Sequence, residues 1–170
     1  MSVLDDALRY GGFALAHAAW IASDLEPGEL ICPVAVVTRG DERKVVPFEA
    51  STQAEAIERG KASFSEFRDE ADAWAFVREG LFSVVGEDAP KRDVLSVSSW
   101  VKQLDEPIVI QQLFRPKSQG GFCLIDDLMI SIHGSMPSYD VHTRLCTIAM
   151  EGIAQHPHGE RWSQWACLSR

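Results

Sequence analysis

Apolar positions recur along this chain with two periods. Over residues 2–23, Leu4, Leu8, Gly11, Leu15, Ala18 and Ala22 follow one another at three- and four-residue steps, the spacing of one helical face. Ser2 stands before the run as an N-cap, and Asp5 places an acid in the first turn, favourable for the helix dipole. The Gly11-Gly12 pair inside the run is open to three readings: a kink, a break into two helices, or close packing against a neighbour. A second helical period covers residues 138–155, where Val141, Leu145, Ile148 and Gly152 repeat after Pro137, with Ser138 placed as the cap. Between them, Thr52 and Glu55 form a capping box, and Ala54, Ile57, Phe64 and Phe67 fall mostly on one face. That pattern predicts one helix fading near Asp69.

Other segments read as strands. Residues 30–38 and 44–50 are rich in β-branched side chains and flank a short polar loop containing Gly40, which predicts a hairpin. Pro33 and Pro47 argue against both strands being central, because proline cannot donate to the ladder. Further short runs follow at 74–81, 94–101, 108–115, 122–125 and 128–132, separated by turn residues at 86–90, 105–107 and 116–121. Within 94–101, Leu95, Val97 and Val101 alternate with Ser96 and Ser98, so one face is buried and the other wetter. The order α-β-β-α-β-β-β-(β)-α predicts a single α+β domain over 1–170. One mostly antiparallel sheet is expected, with helices packed on one face.

Charge divides the chain. Residues 1–90 hold 17 Asp and Glu against 8 Lys and Arg, whereas residues 91–170 hold 8 of each, so the whole formal charge of −9 lies in the first half. An acidic half repels phosphate backbones and anionic membranes, and the apolar run at 13–22 is too short to span a bilayer. Neither nucleic acid nor membrane is therefore expected as a partner. The opening residues carry Asp5 and Asp6 with Arg9 as their one base, unlike a secretory signal. This predicts a cytoplasmic protein, with Cys32, Cys123, Cys146 and Cys167 as free thiols.

Phosphate-loop, dinucleotide, HExxH and GxSxG motifs are all missing from the sequence, and Gly120-Gly121 precedes a strand and reads as a turn. His142, Cys146, His156 and His158 offer zinc-type donors, but without the two close pairs of a structural zinc site, so no metal and no cofactor is expected. Cys146 with His142, or Cys123 with His133, could form a nucleophile–base pair; core packing of the thiols is the plainer reading. Asp126-Asp127 reads as a turn rather than paired carboxylates, since strand neighbours point to opposite faces. Glu55, Glu58, Glu66, Asp69, Glu70 and Asp72 form an acidic surface able to steer a basic partner. Trp162 and Trp165 read equally as interface anchors or as pins for the C-terminus.

The leading expectation is a non-enzymatic protein-binding domain whose acidic half meets a basic protein. In size and charge it resembles many small bacterial partner-binding proteins, toxin-neutralising immunity proteins and secretion chaperones among them, a likeness carried by no motif. The alternative is a small-molecule enzyme or ligand binder with a pocket near His133, His142 and Cys146, with the Ser96/Ser98 face also in view.

Overall fold

A computed structural model describes residues 2–83 and 91–167; the turn expected at 86–90 lies outside the described residues. The elements run α1 (Val3–Ala22), β1 (Val34–Arg39), β2 (Glu42–Pro47), α2 (Gln53–Ala62), α3 (Phe64–Glu70), β3 (Ala73–Phe82), β4 (Arg92–Val101), β5 (Ile108–Arg115), β6 (Cys123–Ser131), α4 (Tyr139–Gln155) and α5 (Trp162–Trp165). The six strands form one antiparallel sheet in the order β2-β1-β3-β4-β5-β6, the α+β architecture expected. The prolines fit: Pro33 sits just outside central β1, and Pro47 ends β2 on the sheet edge.

Local chemistry sets the helix boundaries. Ser2 Oγ accepts the Asp5 N–H at 3.1 Å and starts α1, and Thr52 Oγ1 accepts the Glu55 N–H at 3.2 Å and starts α2. Ser138 occupies the N-cap position of α4 but makes no capping bond with its side chain. The helix expected to fade near Asp69 breaks at Ser63 into α2 and α3, where the Ser63 hydroxyl turns back to donate to Arg59 O at 3.1 Å.

Sheet alternation separates two cores. Val34, Val36, Ala75, Val77, Leu95, Val97, Ile110 and Ile130 face α1 and α4, forming the larger core. Ala35, Val37, Trp74, Phe76 and Trp100 face the other way, and α2 and α3 cover that corner through Phe64 and Phe67. The two long helices thus share one face as expected, while the two short ones lie on the opposite face.

Close packing is the reading of the Gly11-Gly12 pair that the structure supports. A Cβ on Gly11 would stand 2.7 Å from the Ile110 side chain, and one on Gly12 would stand 2.1 Å from Ala149 O of α4. Gly152 of α4 returns the contact, with a Cβ there only 1.9 Å from Arg9 O. The helices cross backbone to backbone at Gly12 and Gly152, and α1 also buries Ala7, Ala14, Ala16, Ala18 and Ala19.

Two expectations about β6 are corrected. Asp126-Asp127 is not a turn between two strands. One strand continues through the pair with a bulge, in which the register moves from Gln111↔Met129 to Leu113↔Ile125 and Asp126 takes φ +59°. The buried amide nitrogen of Gln112 lies 2.9 Å from Leu113 O, 2.8 Å from Ile125 O and 3.1 Å from Asp126 O, so its two N–H groups are shared among carbonyls at the bulge. The cysteines are not all free. Cys123 and Cys167 form a disulfide with Cα atoms 5.1 Å apart, leaving Cys32 and Cys146 as thiols. Spacing hid the pair, because 44 residues separate its members.

Candidate functional site

His142 and Cys146 lie one turn apart on α4 and face the outer edge of β6. Ile130 N–H donates to His142 Nε2 at 3.1 Å, so Nδ1 carries the ring proton and points within 3.6 Å of Cys146 Sγ. The Cys146 thiol in turn reaches Leu128 O at 3.6 Å. Burial, and secondarily the charge of Asp127, push the Cys146 thiol above its ordinary range. A base whose acceptor nitrogen is filled by a backbone amide, next to a thiol held protonated, is not arranged for nucleophilic catalysis. These side chains instead satisfy backbone groups on an edge strand, which would otherwise stand open. A groove of about 310 Å³ remains beside them, lined in part by Asp127, Tyr139, His142 and Met150. His133 is elsewhere: it follows β6 at φ +50° and meets Glu106 at 3.1 Å on the surface. Cys123 is in the disulfide, which removes the Cys123–His133 nucleophile.

The four zinc-type donors fall into two places. His156 and His158 sit past the end of α4, where they meet His17 and Trp20 of α1. His158 N–H donates to His156 Nδ1 at 3.0 Å, so His156 Nε2 holds the proton and donates to His17 Nδ1 at 3.2 Å. His158 stacks on Trp20 with ring centroids 4.5 Å apart. Burial, followed by the neighbouring His17 and His158, lowers the His156 pKa to about 4. The cluster fastens α1 to α4. Among the described residues, no group of three or more His, Cys, Asp or Glu side chains is arranged to hold a metal ion. The His17–His156 contact had no local signal, since its partners lie 139 residues apart.

The acidic surface divides by role. Glu70 pairs with Arg39 at 2.7 Å, and Asp72 accepts the Gly40 N–H at 2.7 Å, so both brace the β1–β2 turn. Glu55, Glu58, Glu66 and Asp69 remain exposed on α2 and α3. Among the described residues, only Glu58 of these four has a cation within salt-bridge reach, Lys61 at 3.7 Å. Arg68, beside Asp69 in sequence, is turned away: it donates to Asp105 O and lies over Trp100.

The tryptophans serve the fold. Trp165 is 7% exposed, meets Phe122 edge-on at 5.7 Å, and belongs to the larger core, while Trp162 packs half-buried against it. No helix among the described residues is long and apolar enough to cross a membrane. Comparison with known proteins yields no relatives: no family model matches the chain, and neither a curated protein nor a solved structure matches it.

Proposed function

We propose that this chain is a non-enzymatic protein-binding domain whose acidic N-terminal half engages a basic protein partner. The observation that carries the reading is the α2–α3 surface, where Glu55, Glu66 and Asp69 stand exposed without an ion pair among the described residues. Unpaired like charges on one surface raise the encounter rate with a cationic partner, and that attraction is screened by salt. The engagement of His142 and Cys146 with β6 backbone supports the non-enzymatic part. The cytoplasm as the place of action, and an immunity- or chaperone-like role, belong to the same proposal; the latter rests on analogy of size and charge alone.

The test is an affinity capture from native lysate at low salt. Wild type and the triple variant Glu55→Lys, Glu66→Lys, Asp69→Lys serve as paired baits. A basic protein retained by wild type, lost on the variant and released as salt rises supports the proposal. Identical captures on two folded baits would sink it. Glu70 and Asp72 are left intact because their loss would loosen the hairpin instead.

The competing ligand-binder reading has the α4–β6 groove in its favour. Saturable chemical-shift changes at Tyr139 and His142 in a fragment screen would favour it.

A further inference from the structure

The face of the sheet opposite α1 and α4 carries a feature of the other charge sign. Cross-strand register places Arg78, Ser96, Gln111 and Met129 in one row across β3, β4, β5 and β6. Phe76, Ser98, Val109 and Ser131 form the next row. Helices α2 and α3 cover only the corner at Trp74, Phe76 and Trp100.

Arg78 is half-buried, and its guanidinium lies along β3 over Gly80. A Cβ at Gly80 would stand 3.2 Å from Arg78 Nη1 and 3.6 Å from Val94 Cγ1, so the missing side chain is the space the guanidinium uses. Among the described residues, no carboxylate pairs with Arg78 and no hydrogen bond holds its side chain. Strand alternation explains why its neighbours in the ladder do not help. Glu79 and Asp93 project through the opposite face, where Glu79 accepts the Ile31 N–H at 3.2 Å. The other arginines on Arg78's own face are occupied: Arg92 reaches Asp126 at 4.0 Å, and Arg115 donates to Gly120 O and Gly121 O.

Beside Arg78, the Ser96 hydroxyl is also without a side-chain partner among the described residues. Ser96 is 6% exposed and makes no side-chain hydrogen bond among the described residues, whereas Ser99, on the other face, donates to Ala7 O at 2.7 Å. A half-buried guanidinium without an ion pair and a hydroxyl beside it offer two donors on the same side of the sheet, which one acceptor reaching both would engage. Carboxylate fits, because its two oxygens match the guanidinium fork and leave lone pairs for a hydroxyl or amide donor. Val94, Leu113 and Met129 supply an apolar surround.

We propose that this face binds the carboxylate of an acidic residue in an extended protein segment, with Arg78 as its bidentate partner and Ser96 and Gln111 as flanking donors. This site is separate from the acidic α2–α3 surface and goes beyond the function proposed above.

The test uses the full chain and a defined probe, the peptide acetyl-Val-Glu-Val-Glu-Val-amide, followed by amide chemical shifts. Saturable shifts at Ser96, Ser98 and Gln111 are expected. Binding should weaken at least tenfold with Gln in place of both Glu residues, and again in Arg78→Met. Arg78→Lys keeps the charge without the fork and should fall between; its unchanged melting temperature shows that the loss is not unfolding. The Glu55, Glu66, Asp69 triple variant should bind this peptide no more weakly than wild type does, which separates failure here from failure of the basic-partner reading. No saturation at millimolar peptide, or equal affinity for the Glu and Gln peptides, overturns the proposal.

Discussion

Cys167→Ser removes the covalent tie between β6 and the C-terminal strap while leaving Trp165 seated in the core. The size of the effect follows from the loop that the bond closes. For the 44-residue separation, loop-closure entropy in the unfolded chain amounts to about 4 kcal/mol at 25 °C. A 170-residue chain unfolds with an entropy of about 0.36 kcal/mol/K, so the melting temperature should fall by about 11 °C. Local contacts change less, since Ala166 still pairs with Leu124 and Cys167 N–H still donates to Leu124 O at 2.9 Å. The assay is calorimetric melting of wild type, of wild type with a dithiol reductant, and of Cys167→Ser. Reduced wild type and the variant should coincide, both well below the oxidised protein. Thiol titration of denatured, unreduced wild type should find two reactive groups, Cys32 and Cys146. Four thiols, or a melting temperature indifferent to reductant, would refute the reasoning and return all four cysteines to the free state. Because a reducing cytosol opposes such a bond, the same titration on protein from its native host also bears on the cytoplasmic assignment.

Two further predictions concern the α1–α4 junction. His156 is neutral in the folded protein with a pKa of about 4, against an ordinary value near 6.5. The unfolded chain therefore takes up a proton first as pH falls. Stability should be level above about pH 6.5 and decline through pH 4, by about 3 kcal/mol in total. His17, whose pKa burial also lowers, acts with the same sign. Urea unfolding at several pH values checks this, and an unchanged midpoint between pH 7 and pH 4.5 counts against it. Gly152→Ala would gain up to about 1 kcal/mol in an exposed helix. Here the added Cβ meets Arg9 O at 1.9 Å, so a net loss of about 2 kcal/mol or more is expected from the denaturation midpoint, and a gain would contradict the close crossing.

What the sequence reveals and what it hides follow from the range of the forces involved. Periodicity and capping are local, so α1, α4, the hairpin and the start of α2 are legible from Leu8, Leu145, Gly40 and Thr52. The break at Ser63 is not, because serine is tolerated within helices and the turn of its hydroxyl to Arg59 depends on context. The β6 bulge reads as a turn because Asp126-Asp127 has turn composition; only Gln112, across the sheet, tells the two apart. The acidic surface is legible as composition, but the duties of Glu70 and Asp72 are not, since their partners Arg39 and Gly40 lie 31 and 32 residues away. The pairing of Cys123 with Cys167 and the chain from His158 to His17 are similarly products of tertiary structure.

The α1–α4 crossing has a consequence for the order of synthesis. Helix α1 is made well before α4, its principal helical partner, with 116 residues between Ala22 and Tyr139. At roughly 5–20 residues per second, α1 waits on the order of 6–23 s on the ribosome before α4 exists to cover it. A large apolar side chain at the point of contact would be exposed for that interval and would invite association with other nascent chains. The backbone contact is made instead at Gly12 and Gly152, which present little apolar area until the partner backbone arrives close enough to use their smallness. The same residues that let the helices touch in the finished protein make its unfinished form less adhesive.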